Sequence, residues 1–217
     1  MDDLLKSITN KISALNLEDD FFYEKRVSDA NAEEIKKIHS DISALVTTIY
    51  ETIGYDQTTN IPIGAIMKRL NFEVITTSFN ETRVSGMLSI SDENTKKNLS
   101  KNLIMLNEND NKGHQRFTVA HELAHFIFDS IAYNNTDYYE AYYVADSLAD
   151  TNLSLREYRA NKFAAELLMP KKTFTIKYTA YSSLFEYLDY VVVLLHLDFG
   201  VSKTAVMKRI QELKLGE

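Results

Sequence analysis

The chain has 217 residues, 45% of them hydrophobic, and a formal net charge of −7 from 24 lysines and arginines against 31 aspartates and glutamates. This length and composition suit one domain with a sizeable core and an appendage. An acidic chain is poorly suited to holding nucleic acid non-specifically, because phosphate neutralisation needs clustered cations. The sequence contains no cysteine, which excludes disulfides and cysteine zinc sites and leaves histidine and carboxylate as the available metal ligands.

Neither a membrane-spanning segment nor an export signal is predicted. The longest strongly apolar run, residues 191–195, is far shorter than the roughly 20 residues that a spanning helix needs. The chain begins MDDLLKSITN, with acids where a signal peptide has bases. We therefore expect a cytoplasmic protein with no membrane association.

Two helices are predicted in the N-terminal part of the chain. Apolar residues recur at helical spacing in residues 1–17, and between residues 31 and 53 they trace one face of a long helix. This extension, residues 1–55, carries no catalytic motif, and its predicted role is to extend the core, dimerise or contact a partner. Residues 56–217 are predicted to form the main domain.

A short helix and three strands are predicted next. Pro62 suits the first turn of a helix, and β-branched or apolar residues predict strands at residues 72–78, 84–90 and 102–107. The polar residues 91–101 are predicted to be a loop.

Residues 117–128 read FTVAHELAHFIF and contain the H-E-x-x-H pattern. On a helix, His121 and His125 lie on one face, so their imidazoles can converge on one cation. Zinc is the natural candidate, because a catalytic zinc site combines three protein ligands with a water. Glu122 would face that water as a general base. The alternative interpretation is a pair of hydrogen-bonded core histidines.

A site with two histidines needs a third ligand, for which Glu157 is the best candidate and Glu166 the rival. Both lie in residues 156–170, where apolar spacing predicts a helix that ends near Pro170. A carboxylate near the start of this helix suits the helix dipole and can reach a neighbouring helix. Alternatively, Glu157 is an ordinary acid of the first turn.

The segments after the two motifs are less informative. Residues 132–152 are rich in tyrosine, asparagine and aspartate and are predicted to form a long loop, whose tyrosines either grip a peptide or pack beneath it. Residues 174–197 predict one or two core helices. His196, at the end of that run, is expected to be a core or capping histidine rather than an oxyanion stabiliser.

Two segments together resemble the paired signature of the ImmA/IrrE family of zinc metallopeptidases. They are RFTVAHELAHFIF, at residues 116–128, and ExxANxFAAELLMP, at residues 157–170. The resemblance covers roughly residues 60–215. It implies an α+β, zincin-like fold in which a small β-sheet packs on a helical core with the H-E-x-x-H helix at its centre.

The resemblance also implies roles for individual residues. His121, His125 and Glu157 match the metal-ligand positions of the family, and Glu122 matches its catalytic base. The implied metal is zinc, with manganese as the alternative. Ala124 replaces a glycine that is common in the motif, a change between small residues that leaves both histidines in place.

The activity implied by the resemblance is regulatory. Members of the family act on a helix-turn-helix repressor, here expected on a separate chain, and so derepress mobile-element, phage or stress genes. In peptidases of this architecture the substrate main chain pairs with an edge strand beside the cleft. We assign that role to residues 103–107, with Leu103, Met105 and Asn107 as the substrate-binding candidates.

Three other hypotheses stay open. A metal-binding protein that senses or sequesters its repressor without cleaving it would show the same ligands and base. A toxin-like or partner-bound interaction protein would use the N-terminal helices. A DNA-binding protein would use a C-terminal helix-turn-helix with Lys203, Lys208 and Arg209 exposed. The acidic net charge and the apolar spacing of that segment disfavour this last hypothesis.

Overall fold

The computed structural model describes residues 2–15, 17, 25–57, 60–80, 84–90, 102–132, 139–143 and 153–216. The helices are α1 (Asp3–Leu15), α2 (Ala32–Ile53), α3 (Ile63–Arg69), α4 (Lys112–His125), α5 (Leu155–Leu168), α6 (Lys171–Ser182), α7 (Leu188–Phe199) and α8 (Lys203–Glu212). The strands are β1 (Phe72–Thr77), β2 (Val84–Ser89), β3 (Asn102–Asn107) and β4 (Tyr139–Tyr143). The predicted α+β class is confirmed, and a π-helical segment (Phe126–Ile131) continues α4.

Helix α2 shows how local sequence sets the boundaries of an element. The Asn31 side chain accepts hydrogen bonds from the backbone N–H groups of Glu33 and Glu34, and the Glu34 carboxylate accepts one from Asn31 N. This capping box satisfies the first free amides of the helix. At the other end Gly54 adopts a left-handed conformation with φ of 66°, which glycine adopts without steric cost.

The sheet contains the four described strands in the order β1-β3-β2-β4. Strand β3 pairs in parallel with β1, from Phe72 opposite Asn102 to Thr77 opposite Asn107, and antiparallel with β2. The prediction that residues 103–107 form an edge strand is therefore wrong, because neighbouring strands occupy both hydrogen-bonding sides of β3. Its continuous apolar sequence, LIML, is typical of an interior strand.

Strand β4 lies inside the stretch that was predicted to be a loop. It pairs antiparallel with β2, with Tyr139 opposite Ser89 and a bulge between Val84 and Gly86. The prediction of an unbroken loop over residues 132–152 is therefore wrong. The structure does not describe the tyrosine side chains of this stretch, for which two roles were predicted. The predicted loop at residues 91–101 also lies outside the described residues.

Helix α4 occupies the centre of the molecule. It packs against α5 on one side and against the inner strands β2 and β3 on the other. Helix α1 contacts α2 and the π-helical segment, and α2 also contacts α5. The first two helices thus lie on the same core as the site helices, while the division of the chain at residue 55 stays a prediction.

The C-terminal helices are only partly buried. Phe174 and Leu195 lie in the core, as predicted for residues 174–197. The prediction of core helices is wrong for a group of large apolar side chains that are exposed: Ile176, Leu184, Phe185, Tyr187, Leu188, Tyr190 and Leu197. No single helix of the described ranges is long and apolar enough to cross a membrane; α7 and α8, bent by 106° at their junction, reach that length and composition only as a pair.

Arg209 of α8 is engaged inside the protein. Its side chain is 3% exposed, its Nε donates to the Met169 carbonyl at 3.1 Å, and its Nη atoms pair with Glu166 and Glu212. The C-terminal DNA-binding hypothesis needs this cation on an exposed recognition face. Its burial therefore argues against that hypothesis.

We expect Glu212→Gln to lower the free energy of unfolding by about 1 kcal/mol at neutral pH and to have a smaller effect in acid. The Glu212 carboxylate lies 3.2 Å from Arg209 Nη1 and 3.0 Å from Lys162 Nζ. Burial raises the pKa of Glu212, but Arg209 and Lys162 outweigh it and hold the pKa below its ordinary value of 4.5. A carboxyl whose pKa is lowered by folding stabilises the protein above the unfolded pKa, and this contribution disappears as pH falls through the folded pKa.

Urea unfolding of the wild type and Glu212→Gln at about pH 7 and about pH 3 measures this effect. Glu51→Gln is the control, because Glu51 is exposed on α2. An equal difference between wild type and Glu212→Gln at both pH values would contradict the ion-pair explanation.

Candidate metal centre

Three predicted ligands come together between α4 and α5. The distance from His121 Nε2 to His125 Nε2 is 3.0 Å, and the two oxygens of Glu157 each lie 3.3 Å from one of these nitrogens. One ligand atom from each of the three residues lies within 4.8 Å of the others. Both histidines are buried, and the Glu157 side chain is 27% exposed. The site thus lies in the core with its carboxylate toward the surface.

The local sequence explains how each ligand is placed. His121 and His125 are one turn apart on α4, in an almost wholly buried stretch of that helix. Glu157 lies in the first turn of α5, where Ser154 caps the helix by accepting a hydrogen bond from Glu157 N at 3.2 Å. The rings of Phe128 and Phe163 meet edge to face at 5.8 Å and help to fix the approach of α5 to α4.

The rival ligand Glu166 lies elsewhere. Its carboxylate pairs with Arg209 and accepts a hydrogen bond from Lys171 N at 3.2 Å. Among the described residues, the cluster of potential ligands contains Glu157 and not Glu166. The fold therefore favours Glu157 as the third ligand.

The second nitrogen of each imidazole has its own partner. His121 Nδ1 is 3.1 Å from Asn161 Oδ1, and His125 Nδ1 is 2.7 Å from Asp129 Oδ2. Because both partners offer an oxygen acceptor, they favour the tautomer with the proton on Nδ1 and direct the lone pair of Nε2 into the cluster. Sequence reasoning missed both partners, although Asp129 follows His125 by one helical turn and Asn161 belongs to the ExxANxF segment.

The electrostatics of the cluster favour positive charge between its ligand atoms. Burial lowers the pKa of His121. Burial also opposes protonation of His125, but hydrogen bonds to Asp129 and Glu157 outweigh it and raise the pKa of His125 to about 10. Burial raises the pKa of Glu157, yet hydrogen bonds from the two histidines hold that pKa well below its usual range. A bound cation would supply the positive charge that this arrangement stabilises.

The donor set fits a divalent metal. Two histidines and one glutamate form a ligand combination used by catalytic zinc sites. Two imidazole nitrogens on a tetrahedral zinc lie about 3.3 Å apart, close to the 3.0 Å between the Nε2 atoms here. Nitrogen and carboxylate ligands also suit manganese, so the donor set does not by itself select zinc.

Glu122 lies at the boundary between α4 and strand β2. It is fully buried, and a Cβ built on Gly86 would lie 3.6 Å from Glu122 Oε1. The same Cβ would lie 2.4 Å from Thr118 Cγ2. Gly86 therefore lets β2 approach the face of α4 that carries the predicted base.

We expect Gly86→Ala to lower the free energy of unfolding by about 1–3 kcal/mol, because the new methyl group collides with Thr118. Thr118→Ser, which removes Cγ2, should cost about 1 kcal/mol on its own. The double variant should be less destabilised than the sum of the two single variants. Chemical denaturation of the four proteins gives the coupling, and strict additivity would mean that β2 does not approach α4 at Gly86.

The three predicted substrate-binding residues lie on an interior strand, not on the expected edge strand. Leu103 and Met105 are half-buried on the interior strand β3. Asn107 is buried; its Nδ2 donates to the Val84 carbonyl at 2.8 Å and its own carbonyl accepts from Gln115 Nε2 at 2.8 Å. Asn107 therefore joins β3, β2 and α4, and the edge-strand basis for all three assignments is lost.

The family model described as the IrrE N-terminal-like domain, of peptidase family M78, matches residues 67–211. This match covers 145 of the 217 residues, including α4, all of α5 and most of α8. No curated protein matches the chain. Both segments of the paired signature lie inside the matched range. The chain therefore belongs to the IrrE N-terminal-like family of metal-dependent peptidases.

Proposed function

We propose that the protein is a zinc-dependent endopeptidase in which His121, His125 and Glu157 hold the metal and Glu122 is the catalytic base. The observation that carries the proposal is the convergence of the three ligand atoms within 4.8 Å of one another. Family membership and the position of Glu122, next to the first histidine on α4, support it.

A metal held by His121, His125 and Glu157 would supply Lewis-acid activation of the attacking water and of the scissile carbonyl. Glu122 takes a proton from that water and returns it to the leaving amine. Asn161 and Asp129 keep the two imidazoles oriented through Nδ1. The apolar surroundings of α4 exclude bulk water, which strengthens each of these electrostatic interactions.

The proposed substrate is a helix-turn-helix repressor on a separate chain, cut at one site in the cytoplasm. Cleavage would derepress mobile-element, phage or stress genes. This part of the proposal is supported by the resemblance of residues 116–128 and 157–170 to the paired ImmA/IrrE signature. The acidic net charge of −7 also suits a protein partner better than a nucleic acid.

We expect the purified wild type to contain about one zinc per chain, as a site with three protein ligands would hold. Glu157→Gln should contain much less, because a neutral amide is a poorer ligand than a carboxylate. Glu166→Gln is the matched control on the same helix and should keep its zinc, since Glu166 pairs with Arg209. Elemental analysis measures all three proteins. A metal-free wild type that takes up neither added zinc nor added manganese would overturn the proposal.

The substrate is tested by incubating the zinc-loaded protein with purified helix-turn-helix repressors of the same organism. Intact-mass analysis should show one cut in one repressor. A zinc chelator should abolish the cut and added zinc should restore it. Stable binding of a repressor without any cleavage would instead support the hypothesis of a catalytically silent metal-binding protein.

A further inference from the structure

Asp129 is a buried carboxylate with both oxygens engaged beside the metal centre. Its side chain is fully buried, and its Oδ2 lies 2.7 Å from His125 Nδ1 and 2.9 Å from Arg156 Nε. Its Oδ1 accepts a hydrogen bond from Arg159 Nη2 at 3.1 Å. Asp129 thus contacts one predicted ligand directly and two residues of the helix that carries another.

The position of Asp129 makes these contacts possible. It lies on the π-helical segment that follows α4, and π-helical turns occur frequently at functional sites. Its two arginine partners are the residue before Glu157 and the second residue after it on α5. One carboxylate therefore links the helix of the two histidines to the first turn of the helix of the carboxylate ligand.

The Asp129 carboxylate pairs with two guanidinium groups inside the protein. The Arg159 side chain is 4% exposed, and its guanidinium lies 4.5 Å from the centre of the Phe128 ring. A buried ion cluster of this kind contributes little net stability compared with apolar residues of the same volume. What the cluster does supply is a fixed orientation for each member, including the His125 ring.

The two histidines also differ in their partners. The partner of His121 is the neutral amide Asn161, whereas His125 has an anion. A carboxylate that accepts from Nδ1 makes the imidazole a stronger metal ligand than a neutral acceptor does.

We propose that Asp129 is a positioning residue of the metal centre. It holds His125 with Nε2 directed into the cluster, and through Arg156 and Arg159 it sets the position of Glu157. This inference rests on the proposed metal site. It goes beyond the three ligands and the base, because a variant that keeps those four residues but lacks the Asp129 carboxylate should bind metal poorly.

The test compares Asp129→Asn with the wild type by competition for Zn²⁺ against a chromophoric chelator. We expect zinc affinity to fall by about 10–100-fold, the usual cost of losing such a partner. The visible absorption spectrum of the Co²⁺-loaded protein should also change, because His125 and Glu157 are no longer held in the same geometry. A purely structural role would lower the melting temperature and leave both readouts of the folded protein unchanged.

Asp198→Asn is the matched control. Asp198 accepts from Lys177 at 2.8 Å and from Tyr181, in the α6–α7 pair, so the same substitution there should leave zinc affinity unchanged. Arg156→Met and Arg159→Met should each weaken zinc binding by about 3–10-fold, less than Asp129→Asn does, because His125 keeps its acceptor.

The outcomes distinguish a failure of the proposed function from a failure of the inference about Asp129. A wild type that binds no metal overturns the proposed function and this inference together. A zinc-binding wild type with a folded Asp129→Asn variant of equal affinity and equal Co²⁺ spectrum overturns only the inference. Should Asp129→Asn fail to fold, the two arginine variants decide, and unchanged zinc affinity in both of them overturns it.

Discussion

Glu122→Gln should lower cleavage of the proposed repressor substrate by about 10²–10⁴-fold, the loss expected when a general base is removed. Its zinc content should stay at the wild-type level. Glutamine has the shape of glutamate but cannot take a proton from water. Glu122 lies outside the cluster formed by His121, His125 and Glu157, so the ligands remain. The measurements are kcat/KM for the repressor and zinc per chain in the same preparation.

The buried position of Glu122 makes this substitution informative. The side chain is fully buried against β2 at Gly86, so a larger or smaller replacement would change packing as well as chemistry. Glu166→Gln is again the control and should cleave normally. Full cleavage by a zinc-loaded Glu122→Gln protein would show that another group takes the proton, and the proposed mechanism would then be wrong.

Features set by local sequence were predictable. The capping box of Asn31 and Glu34 and the left-handed Gly54 define both ends of α2. The spacing of His121 and His125 requires only one helical turn. For Glu157, periodicity gave the helix, its place near the start of that helix favoured it over Glu166, and the resemblance to a family signature supported the same choice. The structure brings Glu157 to the two histidines, while its role as a metal ligand stays a proposal.

The order of the strands was not predictable in the same way. Which strand lies at an edge depends on pairing between distant segments. Strand β3 pairs in parallel with β1 on one side and antiparallel with β2 on the other, so Leu103 and Met105 lie on an interior strand. The apolar run of β3 did carry a signal for an interior strand. Strand β4 arises in a polar, tyrosine-rich stretch without the alternation that predicts strands, so its pairing with β2 had no local signal.

The partners of the ligands show the same division between local and distant information. Asp129 follows His125 by four residues, so helical spacing alone places the two side chains side by side. The convergence of Arg156 and Arg159 on Asp129 requires the packing of α5 against α4. The sequence did not predict exposure either: the apolar residues of α6 and α7 indicated core helices, yet Leu197 of α7 is 63% exposed.

His125→Ala should abolish both zinc binding and cleavage. The change removes one of three ligands and leaves the Asp129 carboxylate without its imidazole partner. We expect zinc affinity to fall by more than about 100-fold, which exceeds the loss caused by removing a partner of a ligand. Alanine favours helix, so α4 should remain folded, with a loss of about 2–5 kcal/mol in the free energy of unfolding from the lost ring. Elemental analysis, circular dichroism and repressor cleavage measure the three effects.

His196→Ala is the matched control for a lost imidazole, because His196 Nδ1 pairs with the Val201 carbonyl at the end of α7. It should keep both zinc and cleavage. Taken with Glu122→Gln, the His125 variant separates the two parts of the mechanism: one variant keeps the metal and loses proton transfer, and the other loses both. A His125→Ala protein that retains one zinc and normal turnover would assign the metal to other residues, and the cluster between α4 and α5 would then be a set of hydrogen-bonded core side chains.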